Sequence, residues 1–138
     1  MITHESIGLA EARRAVEAIL AAVTPQDNPV AIAITDAHGD LISSLRQDGA
    51  SARMSRRSRA KAYSAATLGM DTVVFRDDVL KAEGRALDDW GDPRLTALQG
   101  GLAILRHGKV VGGIAMSGNS TNRDETLAGI GRAAMRLG

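Results

Sequence analysis

Two pairs of short apolar runs, each broken by a turn-type sequence, constrain this chain more than any other feature. "VAIAIT" (30–35) passes through "DAHGD" into "LISSLRQ" (41–47), and "LAILR" (102–106) passes through His107-Gly108-Lys109 into "VVGGIAMSG" (110–118). Apolar and β-branched runs that bracket Gly and Asp read as antiparallel hairpins. In the first, Leu41, Ser43 and Leu45 alternate with Ile42, Ser44 and Arg46, giving one apolar and one mixed face.

Helical spacing fills the rest. Leu9, Ala12, Val16, Ile19, Leu20 and Val23 predict an amphipathic helix from about Thr3 to Val23, capped by Thr3 or Ser6 and ended by "TPQDNP". A second helix is expected from about Ser51 to Leu68, basic in its first half and alanine-rich in its second, where small side chains let it lie close to a sheet or another helix. A third follows Asp71-Thr72, with the Thr as cap, and reaches roughly Arg85. "LDDWGDPRLTALQGG" (87–101) is irregular and long enough for a functional loop. The last helix starts near Ser120 and carries Leu127, Ile130, Ala133, Ala134 and Leu137. Gly129 and Gly131 inside it each cost about 1 kcal/mol relative to Ala, which a close backbone approach would offset. The order α, ββ, αα, ββ, α predicts an α+β layered domain. Its antiparallel sheet has four to five strands flanked by helices, and one domain spans 1–138.

Composition removes whole classes of function. There is no cysteine, hence no disulfide, thiolate nucleophile or Cys-based metal site. With 17 Lys plus Arg against 16 Asp plus Glu, no global field favours nucleic acid. Tyr63, Phe75 and Trp90 are the only aromatics, too few for a base-stacking platform. No apolar run matches a bilayer, and "MITHESIGLAEARR" lacks the basic-then-apolar pattern of a leader, so a cytoplasmic protein without a membrane partner is expected. His4, His38 and His107 show no metal-ligand spacing, so no metal site is expected, although a single His suffices as an axial ligand of haem iron.

The residues that invite chemistry gather at a junction. In "GGIAMSGNSTNRDE" (112–125) an apolar run stops at Ser117-Gly118, and Asn119, Ser120 and Thr121 lead into Asp124-Glu125. From spacing alone this is a helix cap whose acidic pair complements the macrodipole, and its exposed amides also suit a carboxylate or phosphate. It fits neither a Walker loop nor a dinucleotide fingerprint. Gly100-Gly101 and Gly112-Gly113 mark close approach by a helix or a ligand. Arg53, Arg57 and Lys61 share a helical face, either solvated or recruiting an anion or a subunit. Lys61 stands apart: flanked by Ala60 and Ala62 with Tyr63 nearby, it reads as a partly buried Lys with a lowered pKa or a carboxylate partner.

Three segments in order resemble the GlcG/HbpS family of haem-binding or haem-degrading-type domains, which also supplies the C-terminal domain of some propanediol-utilisation adenosyltransferases. They are "AIAITDAHGDLISSLRQDGA" (31–50), "AKAYSAATLG" (60–69) and "LQGGLAILRHGKVVGGIAMSGNSTNRDE" (98–125). The resemblance implies a profilin-like or PAS-like sheet, a homo-oligomer, and haem or a small metabolite as ligand. Its motif positions fall on Asp36, Gly39, Arg46, Lys61, Gly100, Gly101, Gly113, Ser117, Gly118, Asp124 and Glu125. The chain departs from the pattern at Ala103, where many relatives have Pro, in the basic run "RMSRRSR" (53–59), and over 70–97, where the match is weak and ligand choice would be made.

The expected function is binding of a small anionic or oxygenated metabolite or of haem. The expected ligand contacts are Asp36, Arg46, Arg57, Tyr63, Gly100, Gly101, Ser117, Gly118 and Asn119, with the junction forming a pocket wall opposite Lys61 and near the Asp36 turn. The alternative is an enzyme on the same scaffold, with Lys61 and Glu125 or Asp124 as general acid or base acting on a small organic acid.

Overall fold

The computed structural model describes residues 1–138. A four-stranded antiparallel sheet runs in the order β2-β1-β4-β3, built from β1 (Ala31–Thr35), β2 (Leu41–Arg46), β3 (Gly101–Arg106) and β4 (Lys109–Ser117). Both expected hairpins form, and the long strand β4 joins them by pairing with β1 as well as β3. Helices α1 (Leu9–Ala22) and α5 (Thr121–Ala134) cover one face, and α2 (Ala52–Leu68) covers the other. No helix is long and apolar enough to cross a membrane.

The two faces differ in side-chain size, and this sets the layer spacing. Ile32, Ile34, Ile114, Met116, Leu102 and Ile104 point to α1 and α5, where they join Ile19, Leu127 and Ala128 in the main core. Their strand neighbours on the other face are small: Ala31, Ala33, Thr35, Gly101, Ala103, Gly113, Ala115 and Ser117. Ala62 of α2 packs directly on Ala33 and Ala115. The approach is so close that a Cβ on Gly101 would lie 2.5 Å from the carbonyl oxygen of Lys61. The Ser58 hydroxyl uses the proximity to donate to the Ala31 carbonyl at 2.8 Å.

Element boundaries depart from the spacing in two places. Helix α1 begins at Leu9 with Gly8 as its N-cap residue, rather than at Thr3, because the Ile7 N–H is drawn to the Val111 carbonyl at 2.9 Å and Ile7 is buried against the sheet. Thr72 does not cap the third helix. It is the first residue of α3 (Thr72–Val74), and its hydroxyl accepts from the Gly101 N–H at 3.0 Å. Asp71, in the cap position, accepts from the Ala103 N–H at 3.0 Å. The helix continues through a π-helical stretch, Phe75–Leu80, into α4 (Lys81–Glu83). Its wide turn seats the buried Phe75 edge-to-face against Trp90 at 5.0 Å.

The two glycines of α5 differ in their surroundings. A methyl at Gly131 would meet the δ-methyls of Ile19 and Ile114 at 2.6 and 2.8 Å, whereas at Gly129 the nearest atom is 3.9 Å away. Gly131 therefore marks the close approach and Gly129 does not. Gly129→Ala is expected to stabilise the protein by about 0.5–1 kcal/mol through helix propensity. Gly131→Ala is expected to destabilise it by about 1 kcal/mol through overpacking, with urea unfolding of the two variants as the check.

Candidate functional site

Most of the expected site residues come together where β3 begins, β4 ends and α5 starts. Lys61 reaches across from α2, with its side chain fully buried. Its Nζ donates to the Met116 carbonyl at 2.8 Å and lies 3.6 Å from Asp124 Oδ2. Asp124 is in turn held by the Asn119 N–H, which donates to its Oδ1 at 3.1 Å. Burial pushes the Lys61 ammonium down to about 8; the Asp124 charge works against this and Arg57 adds to it. Burial likewise raises Asp124, with the Lys61 charge and the Asn119 N–H pulling it back. Both partners are thus held closer to neutrality than in water.

The glycines here make room. Gly100 sits at φ +125°, and a Cβ there would lie 2.8 Å from Lys61 Nζ. Gly118, at φ +132°, presses against the Pro29 carbonyl. Ser120 is the N-cap of α5, its Oγ accepting from the Arg123 N–H at 3.2 Å. Asn119 closes the junction by accepting from the Asn28 N–H at 2.8 Å. Two oxygens nearby in sequence are buried without a partner, Ser117 Oγ and Glu125 Oε2. None of the larger surface clefts is lined by Lys61, Ser117 or Asp124.

The other expected residues lie elsewhere. Asp36 closes the β1–β2 turn, accepting from the His38 and Asp40 N–H groups at 2.9 and 3.0 Å. It follows Thr35, at the opposite end of β1 from the Ala31–Ser117 pairing, so the turn does not border the junction. Arg46 is exposed on edge strand β2 in a cleft with Leu20 and Val23. Tyr63 donates from its hydroxyl to Asp92 Oδ2, and Arg94 stacks over its ring at 4.2 Å. Arg57 is half-buried beside the Lys61–Asp124 pair. Glu125 is half-buried close enough to Arg76 to favour that guanidinium's charge.

Sequence spacing missed two groupings. Asp92 and Arg94, themselves joined by an ion pair of 3.2 Å, meet Tyr63 in a long-range contact that no local pattern announces. His4 and His107 line one cleft with Arg106 and Lys109, and His4 meets the His38 ring edge-on at 5.3 Å.

The buried pair makes a stability prediction. Lys61→Ala or Asp124→Ala leaves its partner buried and alone and is expected to cost about 3 kcal/mol or more, whereas Lys61→Met/Asp124→Leu should stay within about 1 kcal/mol of wild type or exceed it. Because the unfolded chain holds the Lys61 proton more tightly, wild type should gain on the double variant as pH rises from about 8 to 10.5. Asp124, raised from 3.8, acts in the opposite sense as pH climbs above that value. Urea unfolding at pH 8 and 10 reads the Lys61 effect, and a series upward from about pH 4 reads that of Asp124.

Against known proteins, the family model described as "Haem degrading protein HbpS-like" matches residues 7–133. An uncharacterised 15.0 kDa protein of the dhaT-dhaS intergenic region of Citrobacter freundii is 30% identical over 89% of this chain and 87% of its own. Among solved structures, the PduOC:heme complex superposes with a TM-score of 0.83 at 26% identity, covering 96% of this chain and 97% of that one. A double mutant of Streptomyces reticuli HbpS gives a TM-score of 0.84 at 26% identity over 96% and 89% of the two chains. The small-faced sheet, the embedded lysine and the capped junction are thus carried on a shared scaffold, and the chain belongs to the HbpS-like family.

Proposed function

We propose that this chain is a ligand-binding domain of the HbpS type whose ligand is haem. The supporting observation is the cleft between the N-terminal segment and the β3–β4 turn. Haem binding needs an axial donor, cations for the propionates and an apolar wall. The cleft has a volume of about 610 Å³ and offers His4 and His107 as imidazole donors with Lys109 and Arg106 as cations. Arg106 is already tied to Glu5 at 2.9 Å, leaving Lys109 the freer of the two.

The donor set fits haem, and the wall is thin. Ile2 and Val110 are the only aliphatic side chains lining the cleft, and Ile2 is 84% exposed. A second copy of the chain laid over Ile2 would cover the open side, which is how the proposed homo-oligomer enters the function. When bound, haem would supply iron-centred chemistry; the residues of this chain hold and orient it. The same geometry weighs against general acid–base catalysis by Lys61, whose Nζ is committed to the Met116 carbonyl behind a sealed surface.

Hemin titration followed at the Soret band tests the reading. Wild type should develop a saturable band, and His4→Ala/His107→Ala should lose it or shift it to that of free hemin. An unchanged band in the double variant would sink the assignment of these ligands. Absence of any saturable band in wild type would sink haem as the ligand.

A further inference from the structure

We infer a second ligand site on the α2 side of the sheet, built to take a small organic anion with a carboxylate or phosphate on a short apolar body. The site is a cleft of about 410 Å³ between α2, the β1–β2 turn and the Pro93–Leu95 stretch. It is separate in lining residues from the cleft that holds His4 and His107.

Three arginines border it, Arg56, Arg59 and Arg94. They are not equivalent. Arg94 is engaged with Asp92 at 3.2 Å and stacked on Tyr63, so it is a fixed wall. Arg56 and Arg59, three residues apart on the exposed side of α2, reach no carboxylate within ion-pair distance. They are free guanidiniums facing a concavity, the donors that pair bidentately with carboxylate and phosphate oxygens.

The opposing charges do not cancel them. Asp40 is the one carboxylate in the lining, and Asp92 behind Tyr63 is neutralised by Arg94. Burial and the Asp92 carboxylate raise the Tyr63 hydroxyl, which stays protonated and adds no negative charge. Apart from Thr35 and Gly39 the rest of the lining is apolar: Leu41, 49% exposed, lies on the strand side and Leu95 opposite it, with Ala60 and Pro93. Two free cations at one end and two leucines with a tyrosine ring beside them describe an anion carrying a hydrophobic body, not a free inorganic ion.

The architecture keeps this cleft in shape. Gly39, at φ +87°, lets the β1–β2 turn lie against Tyr63, where a Cβ would stand 2.8 Å from the ring. The Thr96 N–H donates to Ser64 Oγ at 2.9 Å and pins the far side of the loop to α2. Both walls are therefore tied to the helix that carries Arg56 and Arg59.

Isothermal titration of the full chain at low ionic strength provides the test, with phenyl phosphate and benzoate as probes and inorganic phosphate and benzyl alcohol as comparisons. Saturable one-to-one binding of phenyl phosphate, benzoate or both is expected, and the preferred probe tells a phosphate ester from a carboxylate as the source of the anion. Arg56→Gln/Arg59→Gln should weaken it by about tenfold or more, the loss of charge-assisted hydrogen bonds. Leu41→Glu, which sets a carboxylate into the cleft, should weaken it comparably, so the test survives if the arginine variant does not fold. No saturable binding of either probe, or binding untouched by the substitutions, overturns the site. Equal affinity for inorganic phosphate or benzyl alcohol overturns the ligand class.

Discussion

The structure rests on how closely α2 can approach the sheet. The sheet residues beneath its length, Ala31, Ala33, Thr35, Gly101, Ala103, Gly113, Ala115 and Ser117, are Gly, Ala, Ser or Thr, and Gly101 would not tolerate even a methyl against the Lys61 carbonyl. A helix seated this low has no space for large side chains, so apart from Lys61 its buried residues are Ser58, Ala62, Ser64, Ala65 and Ala66. Lys61 is the exception, and it survives because Gly100 leaves a channel along which its chain runs to the Met116 carbonyl and Asp124. Stem atoms pack and the head is satisfied, the condition on which a buried ammonium is tolerated.

Much of this is visible in the sequence once the period is known. The hairpins and helices follow from alternation and 3.6-residue spacing, and the Lys61 environment follows from its alanine neighbours. The Ser120 cap likewise follows from its place before the last periodic run. What sequence could not supply is pairing across distance. Asp124 and Glu125 are adjacent and chemically alike, yet only Asp124 meets Lys61, because one residue of helix is about 100° of rotation. Thr72 reads as a capping residue and instead, like Asp71 in the cap position, bonds the backbone of β3, a use that depends on a strand far along the chain. The N-terminal residues look helical by spacing, but Ile7 is worth more buried against the sheet than in another helical turn.

The expected pocket at the junction illustrates the same limit. Lys61, Asn119 and Asp124 do converge, but on one another and on the Met116 carbonyl, and the Lys61–Asp124 pair at the centre of this polar joint is buried. The motif positions that the resemblance implies thus include several that tie α2, β4 and α5 together. A residue type suited to catalysis is equally suited to satisfying a buried carbonyl, and only burial and access separate the two roles.

With one sheet face filled by isoleucines and the other pressed flat by α2, neither side has interior volume left for a ligand, which moves binding to the rims. The rims differ in chemistry. At the β3–β4 turn two imidazoles stand with an ammonium, a set suited to a metal-centred macrocycle. At the β1–β2 turn guanidiniums and a phenol stand over leucines, a set with no imidazole and a strong one for oxyanions. The basic run at the start of α2 is divided by the helix itself: Arg57 turns toward the buried pair, while Arg56 and Arg59 turn to the open cleft. The basic run therefore holds two populations of arginine, one shaping the electrostatics of the joint and the other free to meet a ligand.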